Sequence, residues 1–369
     1  MPARPHPITL FLCGDVMTGR GIDQALPYPV EPRIYEFYAS SARDYVKLAE
    51  RANGSFQRPL EFAAIWGDAL AEWQQTKPDA RILNLETAIT TSPQAWPKGI
   101  NYRMSPANLP ALTAARPDVC LLANNHLLDW GYEGLVETLE VLTAAGVRTA
   151  GAGHNQAAAE APAVIELAEG SRLLIFAFGL PSSGVPAEWA ATAEQPGVAY
   201  LPDLSEESLR HVTALCRATR RPGDRVVVSL HWGGNWGYRI PAEQRAFAHR
   251  LIEAGVDLIH GHSSHHVKGI EVYKDKLILY GCGDFLNDYE GIGGYEEFRD
   301  DLTLMYFPTL DPRDGRLLEL RLVPMQIRHF RLQRANASDT AWLAATLNRE
   351  GEALGTGVVA SDGDLLLQW

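Results

Sequence analysis

The segment VDLIHGHSSHHVKG (256–269) carries His260, His262, His265 and His266, in a chain that contains 11 histidines in all. Neutral imidazole binds borderline divalent metals, and it does so best beside carboxylate or amide oxygens. Four other short segments supply such oxygens or a further imidazole: Gly14-Asp15, Asn84-Leu85-Glu86, Asn124-Asn125-His126 and His231-Trp232-Gly233. Asp15, Glu86, Asn125, His231, His262 and His265 together offer carboxylate, amide and imidazole donors. That mixture suits one or two divalent ions, with Mn, Zn or Fe preferred over Mg alone. Such a site acidifies water, polarises a carbonyl or phosphoryl oxygen and orients a substrate. If two ions are held, Asp15 or Glu86 is the candidate to bridge them.

Residues so far apart in sequence meet only if the fold gathers several strand ends. Each of the five segments closes a short apolar run: ITLFLCGDV, ARILNLETAI, DVCLLANNH, RVVVSLHWG and VDLIHGH. RLLIFAFGL and KLILYGCGDF read as further strands. Amphipathic helical patterns lie between them at 59–75, 131–146, 205–220 and 241–255, punctuated by Pro59, Gly146, Pro241 and Gly255. This alternation predicts an α/β fold with a largely parallel centre. Ligands of such sheets bind outside the carboxyl ends of the strands, where all five polar endings fall. Towards the end, LTLMYFPTL and RLLELRLVPMQIRHFRLQ read as antiparallel strands around a turn at DPRDG, and SDTAWLAATLNREGEALG as a final helix. No repeat, low-complexity tract or linker divides the sequence, so 1–369 reads as a single domain. Its motifs occupy 8–290, and 300–369 adds terminal strands and a helix.

The chain has 369 residues, 46% of them hydrophobic and 21% charged, with a formal net charge of −12. This content supports a large core and is not that of a disordered chain. No Lys/Arg cluster provides an electrostatic footprint for nucleic acid. Cys13, Cys120, Cys216 and Cys282 lack C-x-x-C spacing and read as small buried hydrophobes. The opening MPARPHPITLFLCGD has no charged segment leading into a long apolar one, and no run of about 18 apolar residues suggests a membrane span. The expectation is a soluble, cytoplasmic protein acting on a small molecule or a peptide. The oligomeric state is not legible.

The ordered series GDVMTGR, NLE, ANNHLLDWG, SLHWG, GHSSH and GDF resembles that of the poly-γ-glutamate capsule (CapA-like) proteins, a branch of the calcineurin-like metallophosphatase superfamily. The resemblance implies a four-layer αββα sandwich with its metal site at the C-terminal ends of the strands. By it, Asp15 is a first-motif ligand and Glu86 stands where the superfamily has a bridging aspartate. Asn125 and His231 serve a second metal, and His262 and His265 complete the set. His126 acts on the substrate as acid or transition-state stabiliser, with Asp129 orienting it. Two departures are visible. Met17 stands where the phosphatases have a histidine, and GHSSH spaces its histidines one residue wider than GHxH. Both match the capsule branch, and both thin the first metal site.

Around this set, Arg20 and Arg103 are candidates to clamp a phosphate or carboxylate. Trp232, Trp236 and Tyr238 are candidates for an aromatic wall, and Asp284 for a residue lining the site. Asn124 reads as structural, His260 as a support beneath His262, and His266 as exposed. The implied activity is metal-dependent hydrolysis of a phosphoester, or of a peptide or γ-glutamyl-type bond, by metal-activated water. A second reading is Cα epimerisation of a peptide by Asp/His acid–base pairs, with Asp15 and His262 joining His126 and Asp129 as catalytic candidates. A third is a binding protein with a relic metal site.

Overall fold

A computed structural model describes residues 6–369; residues 1–5, part of the opening read as free of a leader, lie outside the described residues. The fold is mixed α/β with several sheets. In the larger, ten-stranded sheet, Ile8–Val16 runs parallel to Ala80–Leu85, followed by Val119–Leu121 and Arg148–Ala150. On its other side the antiparallel strands Leu302–Leu310 and Leu317–Arg328 extend the sheet. In the six-stranded sheet, Arg172–Gly179, Arg225–His231, Leu258–His262 and Lys276–Leu279 are parallel neighbours. The parallel centre expected from the alternation is present in both.

The strands are apolar on both faces because both faces are covered. Within Ile8–Val16, Leu10 and Leu12 join an apolar cluster with Ile175, Val227, Leu258 and Leu277, so the two sheets pack face to face. Phe11 and Cys13, pointing the opposite way at the two-residue period of a strand, pack beneath Trp66, Trp73, Leu135 and Leu142. The outer face of the smaller sheet lies under Leu209, Val212, Phe247 and Leu251 of the helices Glu206–Thr219 and Ala242–Glu253. Those two helices, Gly131–Ala144 and Ala337–Gly351 fall where helical periodicity predicts them.

The expected helix at 59–75 is broken. Phe62–Trp66 is a 3-10 turn, Gly67 takes φ +42°, and an α-helix resumes only at Ala69–Thr76. A Cβ at Gly67 would lie 1.9 Å from the Leu332 carbonyl oxygen, so close backbone approach decides the break. RLLELRLVPMQIRHFRLQ is two strands, Leu317–Arg328 and Arg331–Arg334, turned at His329 and Phe330, which both have φ +55°. A terminal hairpin of Gly357–Ser361 and Asp364–Gln368 was not anticipated, although its Asp362-Gly363 pair is a hairpin signature.

KLILYGCGDF is also two strands, and they belong to different sheets. Lys276–Leu279 pairs with Leu258–His262, whereas Asp284–Leu286 pairs with Ile8–Val16. The crossing runs through Gly281 and Gly283, the latter at φ +76°. There Asp15 donates its backbone N–H to the Gly283 carbonyl at 2.9 Å, and a Cβ on Gly14 would lie 1.6 Å from the same oxygen. We therefore expect Gly14→Ala to lower the unfolding free energy by about 3 kcal/mol in urea titrations, because backbone must move to admit one methyl group. An unchanged midpoint would contradict this packing.

Candidate metal centre

Strand register brings the polar endings together. Asp15 lies opposite Asn84 on one neighbouring strand and Asp284 on the other, and His231 lies opposite His262. All five side chains are buried. Ligand atoms of Asp15, His231 and His262 lie within 4.8 Å of one another, and so do those of Asp15, His265 and Asp284. Asp15 belongs to both groups. Its Oδ1 accepts a hydrogen bond from Asn84 Nδ2 at 2.6 Å, and its Oδ2 from the Ser263 backbone N–H at 3.1 Å. Glu86 Oε1 lies 3.7 Å from His126 Nε2 and 3.8 Å from His231 Nε2, while its buried Oε2 has no partner. Asn125 Oδ1 is 3.0 Å from His231 Nε2.

The electrostatics are those of a cluster short of positive charge. Burial, with Asp284 adding repulsion, pushes the Asp15 carboxyl up to about 7. Burial and the nearby Asp15 hold Glu86 well above the ordinary carboxylate range. His231 and His262 are held well below the usual histidine value by burial, so both rings are neutral. Their Nδ1 atoms face each other at 2.7 Å. At His265, burial lowers basicity but Asp284, 2.8 Å from Nδ1, outweighs it and raises the value. A divalent cation answers both features, since it neutralises clustered carboxylates and accepts imidazole lone pairs. These buried Asp and His groups are therefore able to bind a metal. Asp284, expected only to line the site, stands among the potential ligands.

His126 faces this cluster from one side. Its Nδ1 is 2.6 Å from Asp129 Oδ2, which also accepts the Tyr102 backbone N–H at 2.6 Å. Lys98 lies 2.8 Å from Asp129 Oδ1, 3.3 Å from His126 Nδ1, and donates to the Asn125 carbonyl. Burial first, with Lys98 opposing the pull of Asp129, brings His126 down to about 4. Lys98 escaped the sequence reading. No local pattern marks it; tertiary contacts place its loop, where Trp96 N–H and the Asn101 amide both donate to the Asp129 carbonyl. Asn124 is structural as expected, donating to the Leu85 carbonyl and accepting from the His126 backbone N–H.

Several expected substrate contacts are engaged elsewhere. Arg20 donates from Nε and Nη2 to Asp288 at 2.8 and 2.5 Å and from Nη1 to Glu36 at 2.9 Å. Arg103 donates to the Ser92 and Glu31 carbonyls and stacks on Trp130. Arg20 nonetheless lines a cavity beside His265. Trp232 is a core residue, with its indole N–H on the Tyr280 carbonyl. Tyr238 packs against His266 and Phe298. His266, expected at the surface, is 1% exposed because Phe298 and Trp236 cover its ring. Trp236 alone of the aromatic candidates borders the centre. It packs against His265 and lines a 140 Å³ cavity with Tyr102, Tyr289, Tyr295 and His265. A larger cavity of 290 Å³ holds Glu290 and Arg299, whose charges are already paired with backbone N–H groups or carboxylates.

The protein thus combines a mixed α/β fold with buried Asp and His groups at strand ends. The family described as bacterial capsule synthesis protein PGA_cap matches residues 9–289, and the chain belongs to it. A Mycobacterium tuberculosis protein named "Probable polyglutamine synthesis accessory protein" is 46% identical over 99% of this chain and 97% of its own length. The "Capsule biosynthesis protein CapA" of Bacillus anthracis is 26% identical, over 87% of this chain and 68% of its own. The "PGA biosynthesis protein CapA" of Bacillus subtilis is 25% identical, over 79% and 66%. Among the described residues no helix is long and apolar enough to cross a membrane.

The electrostatics of Asp15 set a pH dependence. Below about pH 7 its carboxyl carries a proton that a metal must displace, whereas above that it is already ionised. Zinc affinity measured by chelator competition should therefore fall at least about tenfold per pH unit below neutrality, with the raised Glu86 and His265 extending the dependence upward. A flat profile would show that Asp15 is not a ligand.

Proposed function

We propose that this chain is a metal-dependent hydrolase of the capsule-type metallophosphatase branch, cleaving an amide bond in a glutamate- or glutamine-type polymer. We further propose that it is one αββα domain over 1–369, with its metal site at the C-terminal ends of the strands. The observation that carries this reading is Asp15, a buried carboxylate shared between two groups of potential ligands, with the His126–Asp129 pair alongside. The names of the relatives support the polymer class, and the donor set supports Mn, Zn or Fe.

When bound, such an ion supplies Lewis-acid polarisation and acidifies water. Asp15, Glu86, Asn125, His231, His262, His265 and Asp284 would hold one ion or two. His126 enters as a neutral imidazole: Asp129 accepts its Nδ1–H, which leaves Nε2 as the free base. Nε2 takes a proton from the attacking water and returns it to the leaving nitrogen. Lys98 holds the Asp129 carboxylate in place. The aromatic cavity beside His265 would seat a neighbouring unit of the chain.

The test is elemental analysis of the purified protein, then assays on poly-γ-glutamate, glutamine-containing peptides and bis(p-nitrophenyl) phosphate before and after chelation. Chelator-sensitive release of amine is the expected result. Phosphodiester cleavage alone would move the substrate class, and deuterium uptake at Cα from heavy water without cleavage would replace hydrolysis by epimerisation. Activity indifferent to full metal removal would overturn the reading. His126→Ala should lower kcat by about a hundredfold or more with metal content unchanged, as expected for loss of a positioned proton carrier. Lys98→Met should lower kcat by about tenfold through the same dyad, with Lys98→Arg retaining most of it.

A further inference from the structure

We propose that Ser229 and His260 are positioning residues of the metal centre, forming a one-directional hydrogen-bond chain that decides which nitrogen of His262 faces Asp15 and His231. This inference rests on the reading of His262 as a ligand.

Polar side chains in the layer between two sheets are costly unless every donor and acceptor is matched. Ser229 and His260 are register partners on adjacent strands, both fully buried, one layer beneath His231 and His262. The next layer down is apolar, with Val227 and Leu258 in the inter-sheet cluster. A serine and a histidine there have no solvation role.

The direction of the chain follows from its far end. His260 Nε2 lies 2.8 Å from the Cys13 carbonyl oxygen, which can only accept, so Nε2 carries the proton. In the neutral ring, Nδ1 is then an acceptor, 3.2 Å from Ser229 Oγ, and the His260 carbonyl offers a second acceptor at 3.2 Å. Both draw the Ser229 hydroxyl proton towards His260. The Ser229 lone pair is left facing His262 Nε2 at 2.7 Å, so Nε2 of His262 must donate. The His262 lone pair is thereby placed on Nδ1, the atom 2.7 Å from His231 Nδ1 and 3.8 Å from Asp15 Oδ1. The anchor, Cys13, lies two residues before Asp15 on the opposing sheet. One chain thus fixes the tautomer of a smaller-sheet ligand against the strand that carries the shared carboxylate. Outer hydrogen bonds of this kind both orient a ligating imidazole and raise its donor strength.

The probe is zinc itself, competed against a chromophoric chelator, with the full chain as parent. Ser229→Ala is expected to weaken zinc binding by about 10- to 100-fold, and Ser229→Thr, which keeps the hydroxyl, to stay near the parent. Thermal melts of the metal-free proteins separate this from loss of fold. Long-range 1H–15N correlation of the zinc-loaded parent supplies a readout that needs no variant: His262 should show a protonated Nε2 and a metal-bound Nδ1. Tight zinc binding by the parent with equal affinity in Ser229→Ala would overturn the inference, as would coordination through Nε2. A parent that binds neither zinc nor manganese would overturn the underlying metal reading as well, and the parent alone reveals that outcome.

Discussion

Two carboxylates side by side at full burial are the constraint around which this molecule is built. Asp15 and Asp284 are register partners on adjacent parallel strands, with Glu86 close enough to be perturbed by both. Removing ions from water costs several kcal/mol or more for each, and like charges add to it. The protein supplies hydrogen bonds from Asn84 and Ser263 to Asp15, and from Asn287 to Asp284, with His265 across from both acids. These contacts soften the burden without removing it. Such a cluster is able to accept a group of opposite charge.

The geometry needs two sheets to act as one. Asp15 and Asp284 belong to the larger sheet and His231 and His262 to the smaller. They meet because the chain crosses between sheets at Gly281–Gly283, so one segment lends a strand to each. The crossing admits no side chain at Gly14, which lets the Asp15 strand lie directly against it. The same meeting edge is reinforced below by Ser229 and His260, whose hydrogen bonds reach from one sheet to the other. The His126–Asp129 pair has a separate support. Asp129 is held by Tyr102, Lys98 and His126 together, and its backbone carbonyl pins the loop that carries Lys98.

Much of the centre was readable in advance. Asp15, Glu86, His231 and His262 each stand where an apolar run stops, and parallel strands put those stops on one edge. Asn125 and His265 follow within the same short motifs, and the structure brings both to the cluster. Arg20, Arg103 and Trp232 are each held by other partners, for a common reason. A side chain near a motif in sequence also lies near many buried carboxylates and carbonyls, and those local partners claimed it first. His266 was misread because polar residues in a turn are ordinarily solvated, whereas here Phe298, from a segment remote in sequence, folds over its ring.

What the sequence determined by itself is the alternation of strands and helices, the parallel centre and the kinds of donor at each strand end. These follow from local periodicity and from the chemistry of single residues. Only the tertiary structure decided that Asp284 lies among the potential ligands, that Lys98 attends the His126–Asp129 pair, and that Arg20 and Arg103 are engaged by buried partners. It also decided the break at Gly67 and the sheet crossing at Gly283, where backbone from distant segments approaches too closely for a side chain. Each of these depends on contacts between positions far apart in the chain, and no local pattern of hydrophobicity encodes which distant partner will arrive.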